Sequence, residues 1–117
     1  MIQSVTTTIT GADTGYLGSR IHGKVLAIKC VANTNANLTL TITGETSAIP
    51  ILTVAGVTKN ATTWFHPRAF ASQNTDGGAA TDAFVEIPVI NEKIKAVVSV
   101  AATGTTALTV YYETTPY

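Results

Sequence analysis

The stretch from Ala83 to Glu113, AFVEIPVINEKIKAVVSVAATGTTALTVYYE, leaves this chain little choice of fold class. Ile94, Val98 and Val100 lie among Lys93, Lys95 and Ser99, while Leu108, Val110 and Tyr112 alternate with Thr109, Tyr111 and Glu113. A period of two in β-branched and aromatic residues puts one set of side chains on a buried sheet face and the other outside. A helix has the wrong period for that. Thr103-Gly104-Thr105 separates the last two runs, and glycine can take the positive φ of a tight turn, so the pattern predicts a C-terminal antiparallel hairpin. With a turn at Asn91-Glu92, the stretch reads as three strand segments forming the nucleus on which the earlier chain packs.

Upstream, Ser4 to Thr10 is a threonine-rich extended segment, ended by the loop Gly11 to Gly15. Ile21 to Ala32 is the longest early strand, with Leu26, Ile28 and Cys30 on one face and Val25, Ala27 and Val31 on the other. Apolar residues on both faces imply a central, covered strand. Asn33 to Asn37 is turn chemistry, because asparagine tolerates the left-handed region. Leu38 to Thr43 alternates cleanly. Ile49 to Val54 contains Pro50, which cannot donate to a ladder, and so belongs at a sheet edge. Thr62 to Phe70 is a short strand running into a loop broken by Pro67, and Ala71 to Thr81 reads as a long exposed loop. Phe84 to Val89 is the next strand. The 117 residues fit one domain, with residues 1–10 readable as an extended N-terminal arm. Seven or eight short strands with regular turn signals predict an all-β fold, a two-sheet antiparallel β-sandwich of jelly-roll type.

Composition narrows the function classes. Charged residues make up 12% of the chain, about half the usual ~25%, and threonine supplies roughly one residue in five. That fits either a β-protein with a polar, uncharged skin or a surface covered by neighbours, since interface cores are depleted in charge. Seven basic and seven acidic side chains give zero net charge. Binding to nucleic acid or to a membrane surface, which needs clustered Lys and Arg, is not expected. The single cysteine, Cys30, lies in a strand and reads as a small buried hydrophobe. The N-terminus has no basic and apolar secretory pattern, so synthesis in a cytosol is expected.

Candidate chemistry is sparse. His22 and His66 are far apart in sequence and make no zinc-ligand spacing. No Gly-x-Ser-x-Gly elbow is present. Glu86 and Glu92 flank a strand and a turn, and Glu45 and Glu113 read as exposed strand-end charges, none of them marked as one of the paired carboxylates of a glycosidase. Asn74-Thr75-Asp76-Gly77-Gly78 with Asp82 faintly resembles a calcium loop but has no terminal bidentate glutamate. No catalytic residue, metal or cofactor is expected, and the chain does not read as an enzyme. Trp64, Phe65 and Phe70 are the one aromatic concentration, open to three readings: core, a sugar-stacking platform, or the anchor of a protein interface.

The segments Phe84 to Val89, Glu92 to Val100 and Gly104 to Tyr112, preceded by Trp64-Phe65-His66-Pro67-Arg68-Ala69-Phe70 and Asn74-Thr75-Asp76-Gly77, resemble small virion structural proteins of tailed bacteriophages. The resemblance covers the C-terminal half. It implies a capsid decoration, or cement, protein on the capsid surface, made in the host bacterial cytoplasm. Its implied partners are the major capsid protein and further copies of itself, as a homo-oligomer, often a trimer. The expected contact residues are Trp64, Phe65, His66, Arg68 and Phe70, with Ile2 and Val5 on the arm and Ile49 and Ile51 on the edge strand. The alternative is a carbohydrate-binding, host-adsorption module of a tail or head fibre, using Trp64 and Phe65.

Overall fold

Alternation in the sequence becomes alternation in burial. The computed structural model describes residues 2–72, 79–99 and 103–114, with side chains described for 2–68, 87–99 and 103–114. Eight strands follow in order: β1 (Ile2–Thr10), β2 (Thr14–Thr34), β3 (Leu38–Gly44), β4 (Pro50–Val57), β5 (Ala61–Phe65), β6 (Arg68–Ser72), β7 (Ala79–Ser99) and β8 (Gly104–Thr114). No helix is found among the described residues, so the fold is all-β. In β3, Leu38, Leu40 and Ile42 are buried while Thr39, Thr41 and Thr43 between them are half-exposed. The same rule in β8 buries Leu108, Val110 and Tyr112.

Every pairing is antiparallel, and the strands run β1-β8-β2-β7-β3-β4, with β5 alongside β2 and β6 alongside β7. The hub is β2, 21 residues long. Its first part, Thr14 to Val25, pairs with β7, and its second part, Gly23 to Thr34, pairs with β8. Over Gly23 to Val25 it therefore has a neighbour on each side. Beyond that, β5 takes over the edge that β7 leaves, Ile28 to Ala32 lying opposite Phe65 to Ala61.

The start of β2 also packs across β1 without pairing to it. A Cβ on Gly15 would stand 2.8 Å from Ile9 Cγ1, and one on Gly18 would stand 3.2 Å from Val5 Cγ1. Side chains of β1 thus rest directly on β2 backbone, and one hydrophobic core lies between them. Leu17, Val25, Ile28, Cys30, Leu40, Ile42, Ile94 and Val110 are completely shielded there. Each such aliphatic side chain contributes on the order of 1.5–3 kcal/mol relative to exposure.

Several sequence expectations change. The predicted C-terminal hairpin does not form: β8 pairs with β1 and β2, and β7 with β2, β3 and β6. Gly104 does have a positive φ, 99°, but the space it leaves is filled by the Asn33 carbonyl of β2. The turn expected at Asn91-Glu92 is instead a bulge within one continuous β7. There, three steps of β7 (Val89 to Glu92) oppose two of β2 (Gly23 to Ile21), and Asn91 absorbs the kink at φ 47°. Within Ile21 to Ala32, Ile28 and Cys30 do lie opposite Ala27 and Val31, but the faces of Val25 and Leu26 change for a similar reason. Leu26 is an extra residue between Val25↔Tyr112 and Ala27↔Tyr111, so the parity flips and Val25 joins Ile28 and Cys30 inside. Residues 2–10 are not an arm: β1 is paired with β8 through all nine positions. The loop expected at Ala71 to Thr81 is shorter, with β6 reaching Ser72 and β7 beginning at Ala79, and 73–78 lie outside the described residues.

Gly23 tests this arrangement. An added Cβ would collide with the Glu113 carbonyl of β8, a backbone atom that cannot swing aside. Gly23→Ala is expected to cost about 1–3 kcal/mol, lowering the urea midpoint without changing its slope; an unaltered midpoint would mean that β8 does not approach β2 this closely.

Candidate functional site

The outer face of β1, β8, β2 and β5 can be read row by row from the register. Thr6, Thr109, Lys29 and Trp64 lie side by side across the four strands. On one side of that row run Ser4, Tyr111 and Ala27; on the other run Thr8, Ala107, Val31 and Thr62. Among these positions only Lys29 carries a charge. The face is a field of hydroxyls and small side chains with one aromatic island.

Trp64 forms that island because β5 alternates, turning Trp64 outward and Phe65 inward. Trp64 is 49% exposed, while Phe65 is partly buried against the core. The indole stacks on Tyr111, with ring centroids 5.7 Å apart and planes 25° from parallel. Lys29 Nζ stands 5.7 Å from the Trp64 ring centre. The stack is worth about 0.5–1.5 kcal/mol and the cation–π contact about 0.5–1 kcal/mol at an exposed site. Together they hold the half-exposed ring in place, with the one cation of these rows already engaged.

The residues expected to make contacts are thereby separated. Trp64 and His66 are exposed, as is Ile2 at 65%. Val5 and Ile51 are buried in this chain's own core, and Ile49 packs against it. Arg68 is exposed, yet its guanidinium donates to the carbonyls of Leu26 (3.1 Å) and Pro67 (2.7 Å). Leu26 is the bulged residue of β2, so Arg68 uses the carbonyl that the bulge leaves unladdered and ties the chain after β5 to β2. The Phe70 side chain, the Asn74 to Gly78 loop and the side chains of Asp82 and Glu86 lie outside the described residues. Tyr111 and Lys29 were not among the sequence candidates. The signal was present: Tyr111 occupies an outward position in the β8 alternation, but only the pairing of β5 and β8 with β2 brings it to Trp64. No known family profile matches the chain, and no curated protein sequence is similar to it.

Cys30 and Glu92 are ionisable groups in the interior. Burial pushes the Cys30 thiol up to about 11, so it is a neutral thiol near pH 7, and the thiolate that would act as a nucleophile is scarce. Glu92, read in the sequence as a turn residue, is 4% exposed. Its Oε1 accepts the N–H groups of Thr46 (2.9 Å) and Ser47 (3.1 Å), closing the turn between β3 and β4 from the bulge within β7. Gly44 leaves the space that the carboxylate occupies. Burial raises the Glu92 carboxyl, but the Ser47 hydroxyl, the two backbone donors and the charge of Arg20 outweigh it, and the net shift is downward from 4.5.

A depressed folded-state pKa adds stability above the unfolded value and loses it as pH falls through the folded one. The chain is therefore expected to weaken progressively below about pH 4.5. Glu92→Gln, which replaces a charge-assisted acceptor by a neutral one, should cost about 1–3 kcal/mol at neutral pH and flatten that acid limb. Urea melts from pH 3 to 7 check both, and an acid limb unchanged in the variant would assign the effect to other carboxylates.

Proposed function

We propose that this chain is a non-enzymatic structural protein of a tailed-bacteriophage virion, a capsid decoration protein that binds as a homo-oligomer across junctions of the major capsid protein. Its work is to add buried contact where shell subunits meet, opposing the outward pressure of packaged DNA. The observation that carries this reading is the outer face of β1, β8, β2 and β5, where the rows around an exposed Trp64 hold threonines and a single charge, Lys29, set over its ring, with Lys24 and Glu113 in the row beyond Tyr111. Interface cores are depleted in charge, and Trp is favoured among the residues that dominate binding energy. The molecule extends 48 × 29 × 23 Å, so a broad side can supply the ~800 Å² per partner of a standard interface.

Within this reading the fold is a two-sheet β-sandwich of jelly-roll type. Strand pairing supports it: β1 with β8 and β2 with β7 are the pairings of a long hairpin rolled on itself. Val5 over Gly18 and Ile9 over Gly15 are contacts between facing layers.

A second reading has its own observation. A stacked Trp64–Tyr111 pair ringed by the hydroxyls of Thr6, Thr62 and Thr109 is also what a sugar ring would meet in a host-adsorption module. A glycan array on the purified protein separates the two, as does its position in the particle, shell or fibre.

Trp64→Ala removes an exposed ring, so it should cost only about 1 kcal/mol of stability. On the decoration reading it should weaken binding to undecorated capsids by about 30-fold, the loss of a contact worth roughly 2 kcal/mol. Capsid binding equal to that of the unaltered chain would overturn the assignment of this face.

A further inference from the structure

The free edges of the sheet are not treated alike. An edge strand exposes unpaired N–H and C=O groups, and natural sheets blunt such edges with proline, charge, bulges or shortness. At one end of the strand order β4 carries Pro50, Gly56 at φ 78° and two register shifts against β3. β5 is only five residues long. β1, at the other end, has none of these devices. Its nine residues, IQSVTTTIT, contain no charge, proline or glycine. They pair with β8 position by position from Ile2↔Glu113 to Thr10↔Thr105 without a shift. On its other side β1 pairs with no strand among the described residues.

We propose that β1 is the seam of a two-fold homodimer, pairing antiparallel with β1 of a second copy about an axis through Thr7. A two-fold seam requires that if residue i meets j, then j meets i. The β1 sequence satisfies this about Thr7, where Thr6 mirrors Thr8, Val5 mirrors Ile9 and Ser4 mirrors Thr10. Burial has the same symmetry: Val5 and Ile9 are buried, and Ser4, Thr6, Thr8 and Thr10 are exposed. The rotation therefore sets Val5 against Ile9 and Thr7 against itself on the core side, and Thr6 against Thr8 on the outer side. Both rows continue across the seam, and no side chain changes face. An axis through Thr6 would instead set Val5 against Thr7 and Ile9 against Gln3, placing polar groups beside the apolar row. A strand from an unrelated protein would have no need of this mirror order, which is why the occupant is a second copy. The seam does not depend on the virion reading.

Sedimentation velocity over a wide range of concentration tests it. The unaltered chain is expected to dimerise reversibly. Thr6→Lys with Thr8→Lys places lysine against lysine in both symmetry-related pairs and, at exposed positions, leaves the fold intact by circular dichroism. Dimerisation should weaken about tenfold or more. Mixing that variant with the Thr6→Glu, Thr8→Glu chain should restore it as a heterodimer, because each lysine then faces a glutamate. A monomer at every concentration, a trimer, a lysine variant that dimerises as well as the unaltered chain, or a mixture that forms no heterodimer would each overturn the seam.

Discussion

The structure depends on three residues of β2, Gly23 to Val25, which are laddered to β8 on one side and to β7 on the other. Without β2, β1 and β8 are a two-stranded ribbon, and β6, β7, β3 and β4 are a separate four-stranded piece. Isolated two-stranded ribbons are marginal in water. β2 makes them one object by spending its first half with one group and its second half with the other. The crossing explains its length, the bulges that bend it at residues 18–20 and 26, and the glycine where the backbone of β8 crowds in. Val25 and Ile28, on either side of the Leu26 bulge, are both fully buried because the bulge turns them to the same side.

This is also where sequence reading stops being sufficient. The strand class was legible, because Leu38 to Thr43 and Leu108 to Glu113 alternate without a break, and the edge position of β4 was legible from Pro50. Neighbours were not legible. A glycine between two strands signals a hairpin equally well when the chain crosses to another partner, as at Gly104, whose special backbone answers to Asn33 and not to β7. A bulge inserts one residue and inverts the alternation, so counting puts Val25 on the wrong face, while beyond the bulge Ile28 and Cys30 do lie opposite Ala27 and Val31. Asn91 carried a real turn signal, a positive φ, but the chain used it to kink a strand and not to reverse it.

The candidate site was half legible for the same reason. Trp64 stood out by its rarity, but its grouping with Phe65 was a neighbourhood in sequence only, since successive residues of a strand face opposite ways. Its true neighbours, Tyr111 and Lys29, come from strands far along the chain that meet only through the register. Glu92 shows the reverse case. It looked like an ordinary turn charge, yet it is the buried acceptor that closes the β3–β4 turn from the bulge within β7.

A surface this poor in charge sets the physics of whatever it meets. With seven acids and seven bases, there is no long-range field to steer encounter, so association is expected near the unsteered ~10⁵–10⁶ M⁻¹s⁻¹. Tightness must then come from slow dissociation, through buried rings, threonine rows and strand ladders that require register before they contribute. Salt screens charges over a Debye length and leaves such contacts largely untouched. A partner bound through such a face would be selected by fit and held about equally well in dilute and in concentrated salt. That suits a component which, once seated, has no chemical reason to leave.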